Sequence, residues 1–171
     1  MKSARVALGS VALLALAVPV CAQDSQAITR EGFLIGFAVG FGASYPCDTC
    51  PSGAGSFHVG AMADPRVAVL ADISVVGGGG DSVGDGSRGL GVLALGARFW
   101  PAERFWLQGG IGISAPLDDE FDTVSDRSWA GIAGAGFEVV QKGRFAMDVQ
   151  LRGAFADGRQ SVALGIGFNW Y

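Results

Sequence analysis

The chain has 171 residues, of which 50% are hydrophobic and 16% are charged, so a disordered tail protein is excluded and one domain is expected. Glycine is unusually frequent, at 28 residues, but it follows no G-X-Y period, which excludes a collagen-like chain. The formal net charge of −4 argues against a protein whose main task is to bind a nucleic-acid backbone.

The first 22 residues have the three parts of a secretory signal peptide. A basic start is followed by an apolar stretch over residues 6–18 and by the small-residue cleavage site Val20-Cys21-Ala22. We therefore predict an exported protein that is cleaved after Ala22. The alternative is lipidation of Cys21, which the preceding Pro19-Val20 fits poorly. The exported chain would begin with a short periplasmic lead-in over residues 23–31 and continue as one domain over residues 32–171.

Two cysteines remain after cleavage, in the segment Cys47-Asp48-Thr49-Cys50. Outside the cytoplasm, the default for such a pair is a disulfide that closes a small loop. A thioredoxin-like redox site would need a βαβ context that the sequence lacks, and a zinc site would need further ligands. We predict a disulfide between Cys47 and Cys50, with metal binding as the alternative.

Eight segments after the signal peptide alternate large apolar residues with small or polar ones. These segments span residues 33–41, 57–61, 67–75, 93–99, 105–113, 129–139, 145–155 and 162–170. Because side chains point alternately to the two faces of a strand, each segment is predicted to be a β-strand. No segment with a helical period competes with them.

The connections between these strands alternate in length. The longer ones cover residues 43–56, 77–87, 115–128 and 156–160, and the tight ones cover residues 63–66, 100–103 and 141–144. Short turns at one end and long loops at the other are typical of outer-membrane up-and-down barrels. Strands of about ten residues are also long enough to cross a bilayer when tilted.

The two faces of the strands differ in a way that separates membrane barrels from soluble ones. The large apolar face carries no charge in any of the eight segments. The opposite face is small and polar; besides glycine, alanine and serine it holds His58, Asp72, Arg98, Gln108, Glu138, Asp148, Gln150, Arg152 and Asn169. A soluble barrel would place its large apolar side chains inside. We therefore predict an all-β fold, an eight-stranded antiparallel up-and-down transmembrane β-barrel with a narrow polar lumen.

Aromatic residues collect near the two ends of the strands, as in the interfacial girdles of membrane barrels. The short-turn end has Phe99, Trp100, Phe105, Trp106, Phe145, Phe168, Trp170 and Tyr171. The long-loop end has Phe41, Tyr45, Phe57, Trp129 and Phe155. We interpret them as two interfacial girdles that flank an aliphatic middle.

The whole exported chain resembles the small eight-stranded outer-membrane barrels of Gram-negative bacteria, of the OmpA-barrel and OmpX-like kind. Residues 164–171, Leu-Gly-Ile-Gly-Phe-Asn-Trp-Tyr, resemble the aromatic C-terminal strand that the assembly machinery of that family recognises. The resemblance implies an assembly signal at Phe168, Trp170 and Tyr171, although relatives often end in a further Phe. It also implies a multi-pass, monomeric outer-membrane protein that contacts lipid and lipopolysaccharide and is delivered by periplasmic chaperones to the barrel-assembly machinery.

Five inward charges are expected to form an ionic network in the lumen: Asp72, Arg98, Glu138, Asp148 and Arg152. An unpaired charge in a low-dielectric interior is expensive, so the two arginines should bond to the three carboxylates. Such a network is either a packed plug or a gated path for protons or ions. Because eight strands leave little room for a channel, the plug is favoured.

Two loop segments and one histidine raise further possibilities. The glycine-rich segment 77–86 is interpreted as a hairpin loop, since no P-loop lysine follows it. An acidic cluster occupies the third long loop and is either a divalent-cation site or a solvated surface: Asp118, Asp119, Glu120, Asp122 and Asp126. His58 is the only histidine, and an enzyme that modifies lipid A acyl chains would need it beside a serine and an acid.

These observations leave three hypotheses for function. We predict a non-enzymatic barrel that presents extracellular loops, with no cofactor, no metal site and no nucleic-acid partner. A small solute pore is the first alternative, and a lipid A-modifying enzyme is the second.

Overall fold

The computed structural model of the protein describes residues 28–45, 52–77, 89–116, 128–156 and 158–171. The strands are β1 Phe33–Tyr45, β2 Ser52–Asp64, β3 Val67–Gly77, β4 Gly89–Phe99, β5 Phe105–Pro116, β6 Ser128–Lys142, β7 Phe145–Ala156 and β8 Arg159–Trp170. Each strand pairs antiparallel with the next, and β8 pairs with β1 to close the barrel. The predicted eight-stranded up-and-down barrel is confirmed. Among the described residues, no helix is long and apolar enough to span a membrane.

The connections divide the barrel into two ends. At the turn end, residues 65–66, 100–104 and 143–144 link the strands, and Gly143 takes the positive φ of 60° that this tight turn requires. At the loop end, the connections are residues 46–51, 78–88, 117–127 and 157–158. Pairing between β1 and β2 continues to Gly42 and Ser52, so the first long loop is shorter than expected from the sequence.

The outer surface of the barrel is apolar. Aliphatic side chains such as Leu95 and Ile111 are 69% and 71% exposed, whereas the charged side chains of Asp72 and Arg98 are 0% exposed. In a soluble protein this distribution would be reversed, because burial of apolar surface drives folding in water. The barrel is therefore built for an apolar surrounding, with its polar core in the lumen.

Two register shifts near the turn end change which side chains face inward. One lies in β2 between Met62 and Asp64, and the other lies in β6 between Glu138 and Val140. Because of the second shift, Val139 and Val140 are consecutive in the chain but are both 41% exposed. The bulge thus keeps Glu138 in the lumen while the apolar outer face continues beyond it.

Three aromatic residues assigned to the outer girdle lie inside the barrel instead. Trp100, Trp106 and Tyr171 are only 1%, 0% and 3% exposed. Trp106 follows the inward alternation of β5, while Trp100 and Tyr171 lie just beyond strand ends, where alternation no longer fixes direction. Phe57 is outward as expected but lies mid-strand, opposite Phe37, rather than at the loop end. The interior at the turn end is therefore aromatic as well as ionic.

Candidate functional site

A dense set of polar and aromatic side chains crosses the turn half of the lumen. We call this set the lumen plug; its members are Arg30, His58, Asp72, Arg98, Trp100, Trp106, Gln108, Glu138, Asp148, Arg152, Asn169 and Tyr171. Apolar side chains of Leu34, Leu70 and Ala68 pack around it. Direct hydrogen bonds across the interior link inward side chains of six strands, β2, β3, β4, β5, β7 and β8, and Glu138 of β6 bonds to Trp100, just beyond the end of β4.

Glu138 is the most heavily bonded group of the plug. Its carboxylate accepts hydrogen bonds from Arg30 Nη2 at 2.7 Å, Trp100 Nε1 at 2.8 Å and the Tyr171 hydroxyl at 2.8 Å. Gln141 Nε2 is a fourth donor at 2.6 Å. Since Glu138 is 0% exposed, these donors replace the water that an ionised carboxylate requires.

Arg30 belongs to the plug, although the alternation of the strands does not indicate it. It lies before β1, in the segment that was predicted to be a short periplasmic lead-in. Arg30 is 8% exposed, forms an ion pair with Glu138 at 2.7 Å and lies over the rings of Trp100 and Tyr171 at 5.0 and 5.6 Å. The segment is held by Met62 N, which donates to Gly32 O at 2.8 Å.

Arg30 also balances the charge of the lumen. The five charges predicted from the sequence are two arginines and three carboxylates, which leave one negative charge uncompensated. With Arg30 included, the described plug contains three arginines and three carboxylates. The imbalance was the one signal in the sequence that a further buried cation was needed.

Arg98 occupies the centre of the plug and is 0% exposed. Its guanidinium donates to Gln108 Oε1 at 3.1 and 2.8 Å and to Asn169 Oδ1 at 2.9 Å. It also stacks on the indole of Trp106, 4.2 Å from the ring centroid. All of its described direct partners are neutral, although a direct bond to carboxylates was expected.

Two amide side chains connect Arg98 to the carboxylates. Gln108 Nε2 donates to Asp72 Oδ2 at 2.9 Å, and Asn169 Nδ2 donates to Asp148 Oδ2 at 2.7 Å. The oxygen of each amide accepts a hydrogen bond from the arginine, and its nitrogen donates one to the carboxylate. Each amide therefore bridges the two charged groups. The expected network of five charges is therefore an alternating network of charges and amides.

The remaining carboxylate contact lies nearer the loop end. Arg152 Nη2 forms an ion pair with Asp72 Oδ2, and Arg152 Nη1 donates to Ser56 Oγ at 2.6 Å. This pair matches the direct contact that we expected for Arg152. Among the described residues, Asp148 has no arginine partner at ion-pair distance; Trp106 Nε1 donates to it at 3.2 Å instead.

His58 lies inside the plug. Its ring is 1% exposed, and Nε2 is 2.8 Å from Asn169 Oδ1. Because that oxygen can only accept, Nε2 carries the proton. Nδ1 has no hydrogen-bond partner within the described residues. A hydrolytic triad would place a serine hydroxyl against the ring, whereas the described polar partner here is an amide.

Tyr171 gives a pH-dependent prediction. Burial, and secondarily the Glu138 carboxylate, raise the pKa of the Tyr171 phenol well above its usual value of about 10. The folded barrel thus holds the proton where the unfolded chain releases it, so stability should fall as the pH rises above about 10. The phenolate absorbance of Tyr171 should therefore appear only when the barrel unfolds. Tyr171→Phe should remove this late increase; a late increase of the same size in Tyr171→Phe would contradict the burial of Tyr171.

Gly136 gives a prediction about packing in the plug. A Cβ built on Gly136 would overlap the indole of Trp106, which is itself stacked on Arg98. Gly136→Ala should therefore destabilise the barrel by about 1–3 kcal/mol in denaturant unfolding. Gly109 is the matched control in β5, because a Cβ there meets no atom within 4 Å. Equal effects of Gly136→Ala and Gly109→Ala would mean that Trp106 is not fixed in the plug.

The other predicted site residues are placed as follows. Phe168 and Trp170 alternate outward on β8 and stack with Phe37 of β1 at centroid distances of 5.0 and 6.0 Å, while Tyr171 turns inward. The predicted assembly signal is thus divided between the two faces of the barrel. The signal peptide, the Cys47–Cys50 disulfide and the acidic cluster of the third loop lie outside the described residues and stay predictions. In the part of the chain that the structure describes, no group of three or more His, Cys, Asp or Glu could hold a metal ion.

Comparison with known proteins identifies the fold. No protein-family model and no curated protein sequence matches the chain. Among solved structures, Neisserial surface protein A is similar with a TM-score of 0.62 and 10% identity, over 82% of this chain and 97% of that chain. Ail, the attachment invasion locus protein of Yersinia pestis, is similar with a TM-score of 0.53 and 17% identity, over 82% of this chain and 99% of that chain. Ail in complex with the heparin analogue sucrose octasulfate is similar with a TM-score of 0.51 and 15% identity, over 82% of this chain and 97% of that chain. The chain therefore has the fold of the small eight-stranded outer-membrane barrels.

Proposed function

We propose that the protein is a non-enzymatic, monomeric barrel of the outer membrane, exported through a cleaved signal peptide, with a closed lumen and with its long connections outside the cell. The observation that carries the proposal is the inside-out distribution of side chains. A lysine or arginine facing lipid at mid-membrane costs about 2–4 kcal/mol, and no described outward position in the middle of the strands is charged. The plug supports a structural lumen, because its three arginines and three carboxylates are bonded to one another or to neutral side chains.

We propose that the exposed task is attachment or another surface interaction of the long loops. The names of the similar proteins, a surface protein and an attachment invasion locus protein, support this role by analogy. The third long connection carries the carboxylates Asp118, Asp119, Glu120, Asp122 and Asp126. Its charge favours a basic partner surface, or one bridged by a divalent cation, rather than a polyanion such as the one bound to Ail.

Two exposed positions test the orientation of the barrel. Arg159 lies at the loop end of β8, and Lys142 lies at the turn end of β6. On intact cells, a membrane-impermeant maleimide should label Arg159→Cys and should leave Lys142→Cys unlabelled, with the labelled peptide identified by mass spectrometry. The reverse pattern would place the long loops in the periplasm and contradict the proposal. The same mass spectra show whether Cys47 and Cys50 are labelled. If the two cysteines are bridged, both should stay unlabelled without reductant.

The surface role is tested by attachment of cells that display the barrel. We expect these cells to bind a basic protein-coated surface more than cells without the protein. Replacement of residues 117–127 by a Gly-Ser linker of equal length should abolish the difference while the protein still migrates as a folded barrel on unheated gels. Unchanged binding after this replacement would exclude the third connection as the contact surface.

A further inference from the structure

The lumen contains a cavity on the loop side of the plug. Its volume is about 40 Å³, and Gln150 and Arg152 of β7 form its polar floor. The rest of the lining is small and mostly apolar: besides Ser56, Ser74 and Ser161 it includes Ala38, Ala54, Val76, Ile132, Ala154 and Ala163. The cavity thus combines a polar floor with apolar walls, which is the usual character of a small-molecule site.

The floor has a buried acceptor without a partner. Gln150 is 2% exposed, and its Oε1 has no hydrogen-bond partner within the described residues. Beside it, Ser56 Oγ accepts from Arg152 Nη1 at 2.6 Å and retains its own hydroxyl hydrogen for donation. The floor therefore matches a group that donates one hydrogen bond and accepts another, as a hydroxyl or a primary amide does.

The electrostatics of the floor favour a neutral group. The Arg152 charge is already paired with Asp72, and the described plug beneath it contains equal numbers of arginines and carboxylates. A carboxylate or an ammonium bound at the floor would bring an uncompensated charge into a low-dielectric lumen, which is strongly unfavourable. We therefore expect the cavity to bind a neutral ligand more tightly than a charged ligand of the same size.

The size of the cavity limits the ligand. A single water needs roughly 10–15 Å³ of such volume, so about 40 Å³ accommodates a polar group with one or two carbons. We propose that the loop half of the lumen binds small neutral polar molecules, with a hydroxyl or primary amide against Gln150 and Ser56 and one or two carbons against the alanine-rich wall. This site requires only the folded barrel, so it is tested separately from orientation and attachment.

The test uses three probes of equal length with the exported full-length protein in nanodiscs. Amide NMR spectra are recorded during titration with ethanol, acetate and ethylammonium. We expect ethanol to cause saturable shifts of the Gln150 side-chain amide and of backbone amides along the cavity, and we expect the two charged probes to bind at least tenfold more weakly. Equal binding of all three probes, or shifts that rise linearly without saturation, would overturn the proposal.

Variants locate the site. Ala163→Leu fills the cavity and should abolish saturable binding of ethanol, and Gln150→Leu should weaken it about tenfold. Ala133→Leu is the control, because Ala133 faces outward from β6 and its substitution should leave binding unchanged. Saturable binding that survives Ala163→Leu would place the alcohol elsewhere and reject the site. Migration on unheated gels shows that each variant is folded, and the comparison of the three probes decides the question in the wild-type protein alone if a variant is not.

Discussion

Replacing Glu138 by alanine should destabilise the barrel by about 3–5 kcal/mol, the cost typical of breaking a buried ion pair from one side. The substitution leaves the Arg30 guanidinium buried without its carboxylate. It also removes the acceptor of the Trp100 indole and of the Tyr171 hydroxyl. The loss is measured as the change in the free energy of unfolding in denaturant titrations of the barrel in lipid vesicles.

The control for this change is Glu103→Ala at the same end of the barrel. Glu103 is exposed and contributes only its backbone oxygen to the described hydrogen bonds, so its side chain should matter by less than about 0.5 kcal/mol. A double variant, Arg30→Met with Glu138→Leu, removes both charges. It should lose less stability than the sum of the losses measured for Arg30→Met alone and for Glu138→Leu alone. Strict additivity would show that Arg30 and Glu138 do not interact as described.

Replacing Arg98 by alanine should have an effect of similar size, about 3–5 kcal/mol. Arg98 is the central cation, and its loss removes both described donors of Gln108 Oε1 and leaves Asn169 Oδ1 with His58 Nε2 alone. It also removes the cation stacked on Trp106 and opens a space beside the indole. Unfolding should therefore occur at a lower denaturant concentration, with little change in the slope of the transition.

Arg66→Ala provides the comparison for Arg98, because Arg66 is exposed in the turn between β2 and β3. Its removal should change stability by less than about 0.5 kcal/mol. If Arg98→Ala and Arg66→Ala had the same small effect, Arg98 would not be a member of a buried network, and the assignment of inward and outward faces would be wrong.

The fold was predictable from sequence because one signal, the alternation of large apolar with small or polar residues, repeats in every strand. Along β1, for example, Phe33, Ile35 and Phe37 alternate with Leu34 and Gly36, so a single face is suited to lipid. The lengths of the connections then separate the two ends. Both signals are local, and local signals suffice for an up-and-down barrel in which each strand pairs with its neighbours in sequence.

The contents of the plug were less predictable, because they depend on contacts between distant strands and on residues outside the alternation. Arg30 lies in a segment without a period, and only the charge balance of the lumen pointed to it. Tyr171 follows the last residue of β8, so parity alone did not assign it to the lumen. The bridging roles of Gln108 and Asn169 require knowledge of which strands face each other across the barrel, which sequence spacing does not contain.

The most direct test of the closed, inside-out barrel is single-channel recording of the purified protein in planar bilayers. The folded wild-type protein should insert without producing a steady unitary conductance, because the plug crosses the lumen. A variant with Trp100→Ala and Trp106→Ala is the positive control, added to the bilayer in the same way. If it remains folded it should conduct, because two large side chains at the turn end are removed. A steady, reproducible conductance of the wild-type protein would contradict the closed lumen and would favour a pore.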